Sequence, residues 1–328
     1  MSVRTAVLLT NLGTPDRLEV PSVKRFLKEF LSDPMVVNLP RWFWLPLLNG
    51  IILPLRSPKT LEGYRRVWTD QGSPLLAISK RQREALQQAL LEQAHVDLAM
   101  RYGNPSFLSV LRLLRDAAIQ RIVVLPLYPQ FSETTTATSE KHLRECLKNL
   151  DYAPEIQLID NYAGEESYIL ALETSIRAHW KQYGQQHLLM SFHGLPQVNV
   201  DRGDPYQKQC EQTARLLAQK LGLDEGQWSV GYQSRFGKQT WIQPYTSDVL
   251  EDLISRNIKS VDIICPGFSA DCLETLDEIE VEYREEFLEL GGESFRYIPA
   301  LNDQPLHIEM MKQLVLSKIQ PTITDEMN

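Results

Sequence analysis

His193 and a row of glutamates, Glu274, Glu278 and Glu282, are candidates for holding a metal ion or moving a proton. His193 ends an apolar run and is followed by Gly194-Leu195-Pro196. Glycine lets the backbone bend and proline fixes the next torsion, so the turn holds a side chain at a strand's rim. Histidine can offer a neutral nitrogen to a metal or take a proton near neutral pH. Alone, such a residue is more simply a hydrogen-bonded turn histidine. The acidic segment shifts that balance. Its glutamates recur every four residues, which stacks them on one helical face, although like charges at that spacing cost about 0.2–0.5 kcal/mol per pair. The stretch 271–289 holds nine of the 42 acidic residues and one of the 34 basic ones, Arg284, and so carries the whole net charge of −8. A charged helix face is usually just solvated, but such faces normally intersperse lysine and arginine. An unbroken carboxylate row suits moving hard cations or passing protons outward. Leu273, Leu276, Ile279, Tyr283 and Phe287 form a neighbouring face expected to dock on a sheet.

Arg65, Arg66 and Arg101 could pair with carboxylates of an anionic ligand, because the guanidinium fork matches that group. Tyr64, Tyr102, Phe131, Trp241 and Phe268 could offer flat surfaces to a planar one. Singly, these types are more simply surface ion pairs and core aromatics. No GxGxxG after a strand, GxxxxGK[ST], GxSxG or HExxH occurs. That argues against a dinucleotide dehydrogenase, a P-loop enzyme, an α/β-hydrolase and a zincin.

The elements that must position these residues alternate. Apolar runs at 5–11, 97–102, 121–127, 155–159, 187–192, 228–232 and 261–265 read as strands. Helical patterns fall at 21–31, 80–92, 106–118, 139–150, 166–182, 206–221, 247–256 and 273–290. Alternating β and α with nearly all-apolar strands predicts an α/β fold, each parallel sheet covered by helices on both faces. The strand ends echo each other. Asn11-Leu12-Gly13-Thr14-Pro15 corresponds to Phe192-His193-Gly194-Leu195-Pro196. Met100-Arg101-Tyr102 corresponds to Val230-Gly231-Tyr232, and Pro126 with Phe131-Ser132 corresponds to Pro266 with Phe268-Ser269. Three pairs in one order predict two similar Rossmann-like domains, 1–161 and 162–328, with a final helix 305–319 free to pack on either. Ligands of such sheets sit beyond the carboxyl ends of the strands, so a cleft between the domains would gather these residues.

Composition sets outer bounds. The 43% hydrophobic content predicts a buried core, with disorder expected only over 320–328. The acidic balance speaks against nucleic-acid partners. The N-terminus does not look like a secretory signal. The nearest approach to a spanning segment, the uncharged stretch Trp42–Leu55, is interrupted by Pro46, Asn49, Gly50 and Pro54 and should not cross a bilayer. It reads either as a greasy lip or as a buried loop plus a core helix. Four cysteines, Cys146, Cys210, Cys265 and Cys272, without a CxxC pair fit a reduced, cytoplasmic compartment.

The strings SFHGLP (Ser191–Pro196), RGDPY (Arg202–Tyr206), YQSRFG (Tyr232–Gly237) and CPGFSADCLETL (Cys265–Leu276) resemble those of ferrochelatases. So do NLGTP near the start, YRRVW with GSPL (Tyr64–Leu75) and YPQFS (Tyr128–Ser132). Together they span almost the whole chain. The resemblance implies a porphyrin cleft between two Rossmann-like domains and insertion of ferrous iron into protoporphyrin IX, the last step of haem biosynthesis. It implies that His193 and Glu274 are the metal-site pair and that Glu278 and Glu282 extend a polar path outward. Porphyrin contacts are expected at Leu12, Tyr64, Arg65, Arg66, Arg101, Tyr102, Phe131, Trp241 and Phe268. Relatives carry histidine where this chain has Cys272, so the resemblance extends no ligand role to it. Some relatives hold an iron–sulfur cluster in a C-terminal cysteine tail; no cysteine follows Cys272 here, so no cluster and no permanent cofactor are expected. The stretch 39–55 falls where relatives have a lip, a surface for peripheral membrane contact and for the preceding enzyme of the haem pathway. Whether His193 acts as base or ligand stays open. Rival readings are a coproporphyrin ferrochelatase, a cobaltochelatase of the same fold, and a non-catalytic haem or porphyrin carrier; a carrier would not need the carboxylate row.

Overall fold

The computed structural model describes residues 4–319 except 236 and 238. The tail 320–328 and Phe236 of the Tyr232–Gly237 string therefore lie outside the described residues. The first half runs β1 (Thr5–Gly13), α1 (Val20–Leu31), α2 (Arg41–Leu47), α3 (Leu53–Val67), α4 (Pro74–Leu90), β2 (His95–Tyr102), α5 (Phe107–Asp116), β3 (Arg121–Pro126), α6 (Thr138–Asn149) and β4 (Glu155–Leu158). The second runs α7 (Glu166–Tyr183), β5 (His187–His193), α8 (Gln197–Asp201), α9 (Tyr206–Leu221), β6 (Trp228–Gln233), α10 (Thr246–Ser255), β7 (Ser260–Ile264), α11 (Arg284–Glu289), β8 (Ser294–Ile298) and α12 (Pro305–Ile319). Three π-helical segments, Leu48–Ile52, Glu133–Ala137 and Glu274–Tyr283, join or precede these helices.

Two parallel sheets form, ordered β2-β1-β3-β4 and β6-β5-β7-β8. The strand that opens each half sits second, so the repeated turn signals reflect one topology used twice. One register in the echo is corrected. Asn11 pairs with Met100 whereas Phe192 pairs with Tyr232, so Tyr232 corresponds to Met100 rather than Tyr102. Alternation along the strands sorts the core. Val7 and Leu9 share one apolar cluster with Leu188, Met190 and Phe192 and with residues of α4, α7, α9 and α12. Ala6 and Leu8 face α5 and α6; Leu189, Val261 and Ile263 face α10 and Phe287 of α11. The halves are thus joined through a common layer. Within it, α12 packs on α4 and β3 of the first half as well as on α7.

Strand β8 was not anticipated. Arg296 interrupts its apolar pattern, and that charge is neutralised inside the sheet by Asp262 of β7, through Nε at 2.7 Å and Nη2 at 2.9 Å. Residues 41–67 also differ from expectation. They form near-continuous helix, with no loop beside the helical part, in spite of Pro46, Pro54 and Pro58. Proline removes a backbone donor and crowds the preceding turn; here the turn between Pro46 and Pro54 widens to π geometry, a rare form found mostly as single turns inside α-helices. The expected single helix 273–290 is likewise a π-helix followed by α11.

Candidate active site

His193 closes β5, and its turn is fixed from the neighbouring strand. The Gly194 amide donates to the Gln233 carbonyl at 2.7 Å. A Cβ on Gly194 would lie 2.7 Å from that same oxygen and 3.1 Å from the Trp241 ring. Only glycine fits there. Trp241, expected as an open surface, is 8% exposed and instead backs this turn, bridging to Pro196. The His193 Nδ1 lies 2.6 Å from the Gly194 carbonyl oxygen. A carbonyl only accepts, so Nδ1 carries the proton, and Nε2 of the neutral ring keeps its lone pair. The Phe268 ring lies 6.5 Å from the imidazole, centre to centre.

Glu274 opens the π-helix Glu274–Tyr283. The side-chain amide of Gln233 donates to its carbonyl at 3.4 Å, so the residue that holds the histidine turn also touches the first residue of the acidic helix. Around Glu274 stand neutral donors and a cation. Burial and then the Glu274 charge push the Tyr64 phenol up. The same two causes push the Cys272 thiol well up, so it stays protonated. Burial lowers Arg56 while Glu274 opposes that shift. Glu278 receives hydrogen bonds from the Ser234 amide, at 2.8 Å, and the Ser234 hydroxyl. Ser234 adopts φ +62°, an uncommon conformation for a serine. Burial, more than the flanking Glu274 and Glu282, raises Glu278 to about 7 against the opposing Ser234 bonds. It can therefore take and release protons at neutral pH. Glu282 is exposed and lies 3.4 Å from Arg66.

The apolar face of this helix is split. Ile279, Tyr283 and Phe287 dock on the second sheet, whereas Leu273 and Leu276 pack under α3. There α1, α2 and α3 share a core of Val23, Phe26, Trp44, Leu48 and Leu53, with Leu12 against it. Their outer side exposes Trp42 (82%), Leu55 (73%), Ile51 and Phe43.

The arginines expected to meet a ligand are engaged by the chain itself. Arg66 forms a forked pair with Asp277, its Nη2 2.8 Å from Oδ2. Gly63 makes room for this, since a Cβ there would lie 2.5 Å from the Asp277 carboxylate. Arg65 pairs with Glu62 at 2.5 Å on the surface. Arg101 donates to Asp33 at 2.5 Å and to Thr138 at 3.0 Å. The Tyr102 hydroxyl donates to the same Asp33 oxygen at 2.9 Å, and Tyr102 is 2% exposed. Neither Arg101 nor Tyr102 presents a free surface, because Asp33, unremarkable in the sequence, draws both inward. Phe131 is partly buried, its amide donating to Gln209 at 2.7 Å. Asp277, Gly63, Gln233 and Ser234 were missed as positioning groups, although the last two lie inside a string already singled out. Among the described residues no three His, Cys, Asp or Glu converge as a metal cage. Two shallow surface hollows, lined by α6 residues and by Leu91, Glu92 and Gln93, include none of the expected site residues.

The ferrochelatase family model matches residues 4–319. The chain belongs to the ferrochelatase family. It is 49% identical over 323 residues to the ferrochelatase of Aeromonas hydrophila, covering 97% of this chain and all of that protein. It is also 49% identical to ferrochelatase 1 of Shewanella oneidensis over 98% of this chain and 97% of that one. Ferrochelatase of Vibrio cholerae shares 49% over 95% and 97%. Among solved structures, SirB from Bacillus subtilis with Fe3+ aligns with a TM-score of 0.58 at 10% identity, over 97% of this chain and 98% of that one. CbiX, described as the terminal enzyme of sirohaem biosynthesis in denitrifying bacteria, aligns at 0.52 and 12%, over 96% and 98%. These two likenesses establish the chelatase fold. As a ferrochelatase, the chain is an enzyme that inserts iron into a porphyrin in haem synthesis, with both as substrates. No described helix is long and apolar enough to cross a membrane.

Proposed function

We propose that the enzyme inserts ferrous iron into protoporphyrin IX, with His193 Nε2 and the Glu274 carboxylate flanking the macrocycle. The observation that carries this reading is the single residue, Gln233, that contacts both the histidine turn and Glu274. Metalation needs a bent ring, the loss of two pyrrole protons and the loss of the ion's waters. His193 Nε2 is the base on one side, a role typically worth about 10²–10⁴-fold. Glu274 receives the ion on the other. His193 takes one pyrrole proton; the other leaves on the Glu274 side, where Glu278, half-protonated near neutrality, takes it and passes it to exposed Glu282 and solvent.

Protoporphyrin is favoured over coproporphyrin because the rim is apolar. Trp42, Phe43, Ile51 and Leu55 face outward, and the one cation among residues 39–55, Arg41, is turned onto the Ser32 carbonyl. Vinyl groups suit that rim better than additional propionates. The same surface would rest on the inner face of the cell membrane, or take porphyrin from the preceding enzyme of the pathway. No iron–sulfur cluster is assigned: the four cysteines are buried and free, and α6, α9, the end of β7 and the start of the acidic helix each hold one. The division 1–161 and 162–328 treats the two sheets as separate domains, with α12 packed partly on the first.

The test is an anaerobic metalation assay with protoporphyrin, coproporphyrin and ferrous iron. His193→Ala should bind porphyrin yet lose turnover by about 100-fold or more. Normal turnover in that variant would overturn the assignment, and faster metalation of coproporphyrin would overturn the choice of ring.

A further inference from the structure

Gln233 is 1% exposed and uses every polar atom of its side chain. Its Oε1 accepts from the Ser191 hydroxyl at 2.7 Å and from the Cys265 thiol at 3.6 Å. Ser191 has one proton, which it gives to Gln233, so the 2.8 Å contact with Thr246 is donated by the threonine. The Glu274 carbonyl only accepts, so the amide turns Nε2 toward it, at 3.4 Å, and leaves Oε1 to the hydroxyl and the thiol. The main chain of Gln233 meanwhile pairs with His193 and accepts from Gly194. The next residue, Ser234, grips Glu278. One buried segment thus holds the strand end that carries the imidazole and the first carbonyl of the helix that carries the carboxylates.

We infer that Gln233 is the positioning residue that sets the separation of His193 from Glu274, with Ser191, Cys265 and Thr246 locking its amide. Gln233 touches none of the reacting atoms. It acts through the groups at either end, and this inference rests on the proposed pairing of His193 with Glu274. The π-helix needs such an anchor. It starts directly at Glu274, whose flanking Leu273 and Leu276 pack under α3 instead of on the second sheet. The Thr275 hydroxyl, 3.1 Å from Asp271, holds the same turn to the second half, and the Gln233 contact adds the tie to β6. A carboxylate displaced by about 1 Å from its working position costs roughly 10²-fold in rate.

Gln233→Met keeps the length and removes the amide; Ser191→Ala removes the lock and leaves the amide able to turn. In the full-length enzyme, Gln233→Met should lower kcat about 10- to 100-fold with KM for porphyrin changed less than threefold. Ser191→Ala should lower kcat by a smaller factor. The double variant should be no slower than Gln233→Met alone, because both act through one contact. Ser191→Thr, which restores the hydroxyl, should recover most of the loss. If Gln233→Met fails to fold, the Ser191 pair decides: equal kcat in the alanine, threonine and parent enzymes overturns the inference. So does a Gln233→Met enzyme with kcat within twofold of the parent, or losses that multiply in the double variant. If His193→Ala turns over normally, the underlying pairing has failed; if His193→Ala is inactive and the Gln233 and Ser191 variants are normal, only the positioning role has.

Discussion

Replacing Glu278 by glutamine should make the enzyme slower and, above neutral pH, more stable. Burial holds this carboxyl at about 7, against 4.5 as its ordinary value. Between those values the unfolded chain has released the proton and the folded chain still binds it. Stability therefore falls as pH rises through that window, and the loss is complete above it. At about 1.4 kcal/mol per pH unit, the ionised side chain costs the fold roughly 3 kcal/mol at pH 8. Glutamine removes that cost, while its carbonyl can still accept one Ser234 hydrogen bond. Urea unfolding of parent and variant should give the variant an advantage of about 3 kcal/mol at pH 8 that shrinks toward zero as pH falls through 4.5. Turnover should fall in parallel, since an amide cannot relay protons. A variant less stable than the parent at pH 8, or an advantage that is the same at every pH, would refute a buried titrating carboxyl at this position.

Other substitutions probe the surroundings. Arg66→Ala strips the partner from the mostly buried Asp277 and should cost about 1–2 kcal/mol in urea unfolding, a figure kept low by the arginine's own exposure. A raised KM for porphyrin with unchanged stability would instead return Arg66 to ligand binding. Asp33 is buried, but bonds from Thr138, the Met35 amide, Tyr102 and Arg101 outweigh that burial and hold it below its ordinary value. Asp33→Asn should cost about 3 kcal/mol at neutral pH. This deficit should vanish as acid protonates the parent's carboxyl, and a deficit that persists at low pH would show that the charge is not the cause. Trp42→Asp with Leu55→Asp alters side chains that are 82% and 73% exposed. It should leave unfolding within about 0.5 kcal/mol and reduce co-sedimentation with lipid vesicles; undiminished sedimentation would remove the lip from membrane contact.

Strand and helix positions were legible because sheets buried on both faces need apolar runs, as β1, β3 and β5 have. Strand β8 hides Arg296, whose charge makes sense only beside Asp262, a residue 34 positions away. The outward apolar residues of 42–55 were legible, but not that the whole stretch is helical. Prolines normally end helices, and nothing local reports that a widened turn can absorb them. Arg101 and Tyr102 were placed correctly at a strand end. Their destination depended on Asp33, which arrives from the end of α1 and outcompetes solvent for both. Such side-chain pairing is long-range and leaves no periodic trace.

The surroundings of the carboxylate row could not be read from its spacing. Four residues overshoot one α-helical turn of 3.6 but fall short of the wider π turn, so the row swings the opposite way around the axis. Glu278 thereby reaches Ser234 beyond β6, and Glu282 reaches Arg66 on α3. The apolar residues swing with them, which is why Leu273 and Leu276 leave the sheet for the lip. An α-helix of the same sequence would carry the three carboxylates along one stripe. The π turn instead buries the middle one between two charged neighbours, and that burial brings it to a proton affinity useful at neutral pH. The partners that meet the row, Ser234 after β6 and Arg66 on α3, lie outside the helix's own sequence.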